Sequence, residues 1–313
     1  MSNCVYSIST DVVKPENERD ARCAPSVNFE AGSCIRLEIL SLFAKAYNEE
    51  YPKNQIKLDS TMEIMHPHKY KKYLVGEFNK RLEEKCTTQR CWTKQSFIRR
   101  MPEFAKEELL KFTFRPNGPD EGTEWLNTDN INQTLRQYEK KYNDFKFLGA
   151  VPRDFQNHTE TAVTDEMLRE YVENGKTRLG IVFNTDPIGK PGEHWNALYC
   201  DVEKGDIRFF DSYGVPANKE VVSFMKMLGK FIKNRNDSIA NVNRNKTNFM
   251  VKITADYNKI RAQRKGWDCG VYATNFILRM LRGDSFEKIC ESKIHDDVIN
   301  KCRKIYFSGD TNE

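Results

Sequence analysis

The spacing of apolar residues divides this chain into a helical first third and a mixed remainder. Ile35, Ile39, Leu42, Phe43, Ala46 and Tyr47 recur at a period near that of a helix, which predicts one opened by Ser33 and closed before Pro52. Tyr70, Leu74, Phe78 and Leu82 make a second stripe, and helices are also expected over 95–101 and 103–112. The polar stretch 1–30 is expected to be loosely ordered. Arg115-Pro116-Asn117-Gly118-Pro119 reads as a boundary loop, because proline and glycine interrupt either periodicity. Beyond it, Thr128 is placed to cap a helix with Ile131, Leu135, Tyr138 and Tyr142 on one face. Strands are predicted over 178–184, 194–202 and 207–211, the last two joined by a Glu203-Lys204-Gly205-Asp206 turn. A helix with Val221, Phe224, Met225, Leu228 and Ile232 follows, then a strand over 249–254. Residues 270–281 are apolar nearly all round, which marks a buried central helix. Helices over 286–291 and 296–306 follow it. The divisions expected are 1–30, a helical extension 31–118, a mixed domain 119–307 and a polar tail 308–313.

Candidate chemistry falls at informative points of this skeleton. Cys269 stands at the start of the buried helix, where unpaired backbone N–H groups and the macrodipole favour negative charge. His194 opens one predicted strand and Asp211 ends the next, so a hairpin brings both to one edge. There the imidazole can take the thiol proton while the carboxylate fixes its tautomer. Gln263, in the loop leading to Cys269, can offer a side-chain N–H to an oxyanion, with the Cys269 backbone N–H as a second donor. Taken singly, each residue has a plain reading as core, cap or turn. Together they make the set a thiol hydrolase needs.

Composition narrows the setting. The chain has 313 residues, 39% hydrophobic and 30% charged, with a net charge of +5. No apolar run approaches the roughly 20 residues of a membrane helix. Residues 1–14 lack the pattern of a secretory signal, so an intracellular, reducing environment is expected. The nine scattered cysteines are accordingly read as reduced thiols. Cys86 and Cys91, with His66 and His68 upstream, do not make a zinc site, since the cysteine gap is wide and no second pair matches it. No metal and no cofactor are expected. Basic residues concentrate between Lys230 and Lys265, opposed by Asp237 and Asp256 alone. This stretch reads as a solvated face, or else as a groove for nucleic acid or an acidic substrate flank.

The runs Gly192-Glu193-His194-Trp195, Asp211-Ser212 and Gln263-x5-Cys269-Gly270, in that order, resemble the ubiquitin-like-protein (SUMO) protease and adenovirus-endopeptidase family of cysteine proteases. Trp125-Leu126-Asn127-Thr128 is similar to the Trp-Leu-Asn-Asp run of SUMO proteases, with Thr128 departing from it. The resemblance implies an α+β, papain-like-superfamily core, with a central mixed sheet flanked by helices and the cysteine at the N-terminus of a buried helix. It implies His194, Asp211, Gln263 and Cys269 as catalytic residues. It further implies Trp125 and Trp195 as walls of a tunnel admitting Gly-Gly, a pair without Cβ atoms. Trp267 is a further substrate-side candidate beside the cysteine. The resemblance covers residues 124–307; the stretches 180–185 and 192–202, with the N-terminal helical extension, look most like the branch in large cytoplasmic DNA viruses, African swine fever virus protease-like, whose members mature capsid polyproteins after Gly-Gly-Xaa. The function implied is such an endopeptidase, placed in the host cytoplasm and the virion. The alternative is an isopeptidase acting on a folded ubiquitin-like modifier. Protein substrates are the expected partners; nucleic acid through 230–265 would be an activating cofactor, as DNA is for adenovirus protease, or the ligand of a non-catalytic binding module. No membrane partner is expected.

Overall fold

The stripes of the first third pack into helices in a computed structural model that describes residues 23–242, 251–292 and 294–308. These are α1 (Leu37–Glu50), α2 (Ser60–Met65), α3 (Pro67–Leu82), α4 (Gln89–Trp92) and α5 (Glu103–Phe112), with a 3-10 turn at Ser96–Arg100 where a helix over 95–101 is predicted. Phe43 meets Phe78 edge-on at 4.7 Å and Phe97 at 4.8 Å between ring centroids, at the heart of this unit's core. Arg36, not Ser33, precedes the first turn of α1; the Ser33 hydroxyl instead accepts from the Ile35 N–H at 3.0 Å. Among the described residues, 23–118 with 306–308 form this unit and 119–305 form a second.

Two expectations for this unit are corrected. Residues 23–30 are tied down, since Cys23 bridges to Phe114 and is joined to Cys34 in a disulfide; residues 1–22 lie outside the described residues. The reduced-thiol expectation also fails, because Cys86 and Cys91 form a second disulfide. In both pairs the fold brings the Cα atoms to 5.3 Å, within bonding range, although neither spacing announces a pair in the sequence.

The second unit is built on a five-stranded mixed sheet in the order β1 (Phe145–Val151), β2 (Arg178–Asn184), β3 (Trp195–Asp201), β4 (Asp206–Phe210) and β5 (Thr254–Tyr257). Its outer pairs are parallel and its two inner pairs antiparallel. The fifth strand begins where the predicted one over 249–254 should end, and 249–250 lie outside the described residues. Helix α6 (Thr128–Lys141) packs on β1, with Asn127 rather than Thr128 as its cap. After α7 (Asp165–Glu173), α8 (Lys219–Val242) sets Val221, Phe224, Leu228 and Ile232 against Leu198, Ile207 and Phe209 on one face of the sheet. Helix α9 (Cys269–Arg282) covers the other face, where Phe276 stacks on Phe210 at 5.0 Å. Both faces are therefore dry, which is why β2 reads as an unbroken Leu-Gly-Ile-Val-Phe run. At Gly180 in that run, a Cβ would lie 2.9 Å from Phe145 and 3.3 Å from Ile277. Three short helices follow: α10 (Phe286–Glu291), α11 (Asp296–Asn300) and α12 (Arg303–Tyr306), the last two replacing the single helix predicted over 296–306.

Candidate active site

Antiparallel pairing of β3 with β4, in a register opposing Ala197 to Phe210, places the start of one strand beside the end of the other. His194 immediately precedes β3 and Asp211 immediately follows β4. Their side chains meet there, the imidazole Nε2 donating to Asp211 Oδ2 at 3.0 Å. That leaves Nδ1 for the Cys269 thiol, which lies near enough to shift the titration of the same imidazole. Cys269 is buried as the first residue of α9, which packs on β3. Burial by itself lowers the His194 pKa. The hydrogen bonds and charges of Asp211 and Cys269 outweigh that effect and raise it from 6.5 to about 9.

Asp211 is itself held by its backbone. Asn258, 2% exposed, accepts from the Asp211 N–H at 2.7 Å and donates to the Asp211 carbonyl at 2.6 Å. The other carboxylate oxygen of Asp211 accepts from the Tyr213 N–H at 2.7 Å. Ser212 connects this corner to Gln263. Its hydroxyl donates to Gln263 Oε1 at 2.5 Å, and its carbonyl accepts the N–H groups of Ala262 and Gln263, each at 2.9 Å. Gln263 is fully buried, and its Nε2 donates to the Lys265 carbonyl at 2.5 Å. One of the two amide N–H donors remains free for another acceptor. The loop carrying Gln263 is fixed from behind by Asp296, whose carboxylate accepts the backbone N–H groups of Arg264 and Lys265, each at 3.0 Å.

Beneath the cysteine lies a buried ion pair. Arg303, 0% exposed, holds Asp268 at 2.9 Å, and Asn300 adds a bond to the same oxygen at 2.9 Å. Arg303 also reaches the Trp267 carbonyl at 3.3 Å. Burial raises the Asp268 pKa, against the opposing pull of Arg303 and Asn300.

The four predicted catalytic positions thus share one corner of the second unit, and the tryptophans divide. Trp195 is buried and donates from Nε1 to the Leu126 carbonyl at 2.8 Å, so the run containing Trp125 is anchored to the residue after His194. Trp125 itself is 48% exposed and is therefore not a core residue. Gly270 allows this approach: a Cβ there would lie 2.9 Å from the Leu126 Cβ and 3.3 Å from Trp195 Cδ1. Trp267 is half-buried beside Asp268. Sequence reasoning misses Ser212, Asn258, Asp296, Asp268 and Arg303. For Ser212 the Asp-Ser adjacency is a usable signal; the others act through contacts distant in the chain.

A central helix opening on a cysteine, against a sheet that presents an imidazole and a carboxylate, places this molecule among the cysteine proteases. The chain belongs to the Ulp1 protease family: the model of that family's C-terminal catalytic domain matches residues 113–310. A protein of Acanthamoeba polyphaga mimivirus described as a thiol protease is 32% identical over 292 residues, covering 91% of this chain and 92% of the relative. A cysteine protease of African swine fever virus is 28% identical over 215 residues, 63% of this chain and 73% of the relative. A crystal structure of the African swine fever virus protease shares the fold, with a TM-score of 0.57 at 20% identity over 96% of this chain and 98% of that one. As a thiol protease, the molecule acts on protein. Among the described residues, no helix is long and apolar enough to cross a membrane.

Proposed function

We propose that this protein is an endopeptidase cleaving after Gly-Gly, with Cys269 as nucleophile, His194 as base and acid, and Asp211 holding the imidazole. The observation that carries the reading is the imidazole bonded through Nε2 to Asp211 beside Cys269, the first residue of the buried helix. Cys269 Sγ attacks the scissile carbonyl, and the oxyanion takes the free Gln263 N–H and the Cys269 backbone N–H. His194 then protonates the leaving amine, and water hydrolyses the thioester with His194 as base. The exposed Trp125, the anchored Trp195 and the neighbouring Trp267 are the proposed walls of the substrate channel. A passage between facing indoles suits residues without a Cβ. Viral polyproteins are the proposed substrates, processed in the host cytoplasm and the virion.

The family's name supports a second reading, an isopeptidase on a folded ubiquitin-like modifier, as do African swine fever virus relatives described as SUMO-1 cysteine proteases. Turnover of a short Gly-Gly-Xaa peptide is compared with that of a SUMO conjugate by the wild type and by Cys269→Ala. Peptide cleavage at a rate matching or exceeding that of the conjugate, abolished in Cys269→Ala, is expected. Cleavage of the conjugate alone would favour the isopeptidase, and unchanged turnover in Cys269→Ala would remove the mechanism. DNA as an activating cofactor is proposed only through the basic 230–265 segment, of which 243–250 lie outside the described residues. Three of its described basic residues are paired, Arg235 with Glu203, Lys259 with Asp256 and Lys265 with Asp297. Activation that declines steeply with salt would support it.

A further inference from the structure

One face of the His194 ring is covered. Tyr213 stacks on it with ring centroids 4.6 Å apart and planes inclined by 19°. On Tyr213 in turn sits the guanidinium of Arg261, its central carbon 4.8 Å from the ring centroid. Arg261 is anchored by Nε, which donates to the Gln263 carbonyl at 2.8 Å. The stack can form because the two loops touch through their backbones: Gly214, at φ +73°, has room for no Cβ, which would lie 2.9 Å from the Arg261 nitrogen.

A guanidinium offers five N–H donors in a planar fork. Arg261 uses Nε, and its terminal nitrogens have no partner among the described residues. The neighbouring lysines differ, since Lys259 pairs with Asp256 at 3.5 Å and Lys265 with Asp297 at 2.6 Å. Arg261 is exposed, yet its position is fixed at both the aromatic face and Nε. An extended peptide advances about 3.3–3.6 Å per residue. The stacked separations therefore set the open fork roughly two to three residues from the imidazole.

We propose that Arg261 is a specificity-determining residue that binds the carboxylate of an aspartate or glutamate within three residues of the scissile bond. The proposal rests on the reading of His194 as the reacting base. A carboxylate can take two parallel hydrogen bonds from the fork, a pairing that Lys does not reproduce. At the rim of a cleft such a pair gives a preference of about tenfold in kcat/KM.

The test is cleavage of a peptide library, varied at three positions on each side of the cut, by the wild type and by Arg261→Lys and Arg261→Glu. Products are read by mass spectrometry. The wild type should prefer Asp or Glu over Lys at one position by about tenfold, with a smaller ratio for Arg261→Lys and an inverted one for Arg261→Glu. No charge preference in the wild type would overturn the proposal, as would a fall in Arg261→Glu equal for acidic and basic peptides. Cleavage at bonds lacking Gly-Gly would count against the Gly-Gly reading while still reporting the charge preference.

Discussion

The Ser212 hydroxyl and the Gln263 amide, 2.5 Å apart, show how closely the proposed oxyanion donor depends on its neighbours. Without that bond the amide keeps only the Lys265 carbonyl and can rotate. Ser212→Ala should therefore lower kcat about tenfold with little change in KM, at a stability cost of about 1 kcal/mol, and Ser212→Thr should restore much of it. Steady-state kinetics with a Gly-Gly peptide checks this. For His194 the folded pKa, about 9, lies above the unfolded 6.5. Its contribution to stability is thus fully present below pH 6.5 and is lost as pH rises through about 9. In Asp211→Asn that loss should shift toward 6.5, measured by urea unfolding from about pH 6 to 10. At this scale His194, Asp211, Gln263 and Cys269 are legible as a set because their residue types and order are unusual together. Tyr213 and Asn258 are not, because a tyrosine in a turn and an asparagine in a loop carry no pattern until the fold brings them to the imidazole and to Asp211.

Elements that bury a continuous apolar surface are the ones the sequence predicts well. α9 (Cys269–Arg282) and α5 (Glu103–Phe112) lie within a residue or two of their predicted bounds. β1 goes unpredicted because Lys146 and Gly149 interrupt its apolar run, and parallel pairing with β2 is what makes it a strand. α7 is missed although Thr164 caps it, accepting from the Met167 N–H at 3.2 Å; Leu168 is its only fully buried residue. The ion pair between Asp268 and Arg303 joins the start of α9 to α12, two elements no periodicity connects. Arg303→Ala leaves the Asp268 carboxylate buried and unpaired, and should cost about 3–5 kcal/mol. Replacing both residues by apolar ones of similar volume should recover much of that loss in chemical denaturation.

For the molecule as a whole, every candidate site residue lies within the 119–305 unit, and the 23–118 unit supplies none of them. The two disulfides that join described residues both belong to that first unit. Cys23–Cys34, separated by 11 residues, closes a loop for which chain entropy gives roughly 3 kcal/mol. Reduction should lower the unfolding temperature of the first unit by several degrees, whereas Cys23→Ser/Cys34→Ser should make it insensitive to reductant at that bond. The sequence alone misplaces these cysteines because it carries a compartment expectation and no distances.

The central claim concerns one thiol among the three free ones of the described residues. Burial raises the pKa of Cys200, and that of Cys290 to about 11, leaving both poor nucleophiles near neutral pH. The most direct measurement is mass spectrometry of the intact protein after exposure to a peptide probe ending in Gly-Gly and a thiol-reactive group, followed by peptide mapping. A single adduct on Cys269, lost in His194→Ala and absent with a probe ending in Ala-Ala, is the predicted result. Labelling at Cys200 or Cys290, or equal labelling by both probes, would contradict the account.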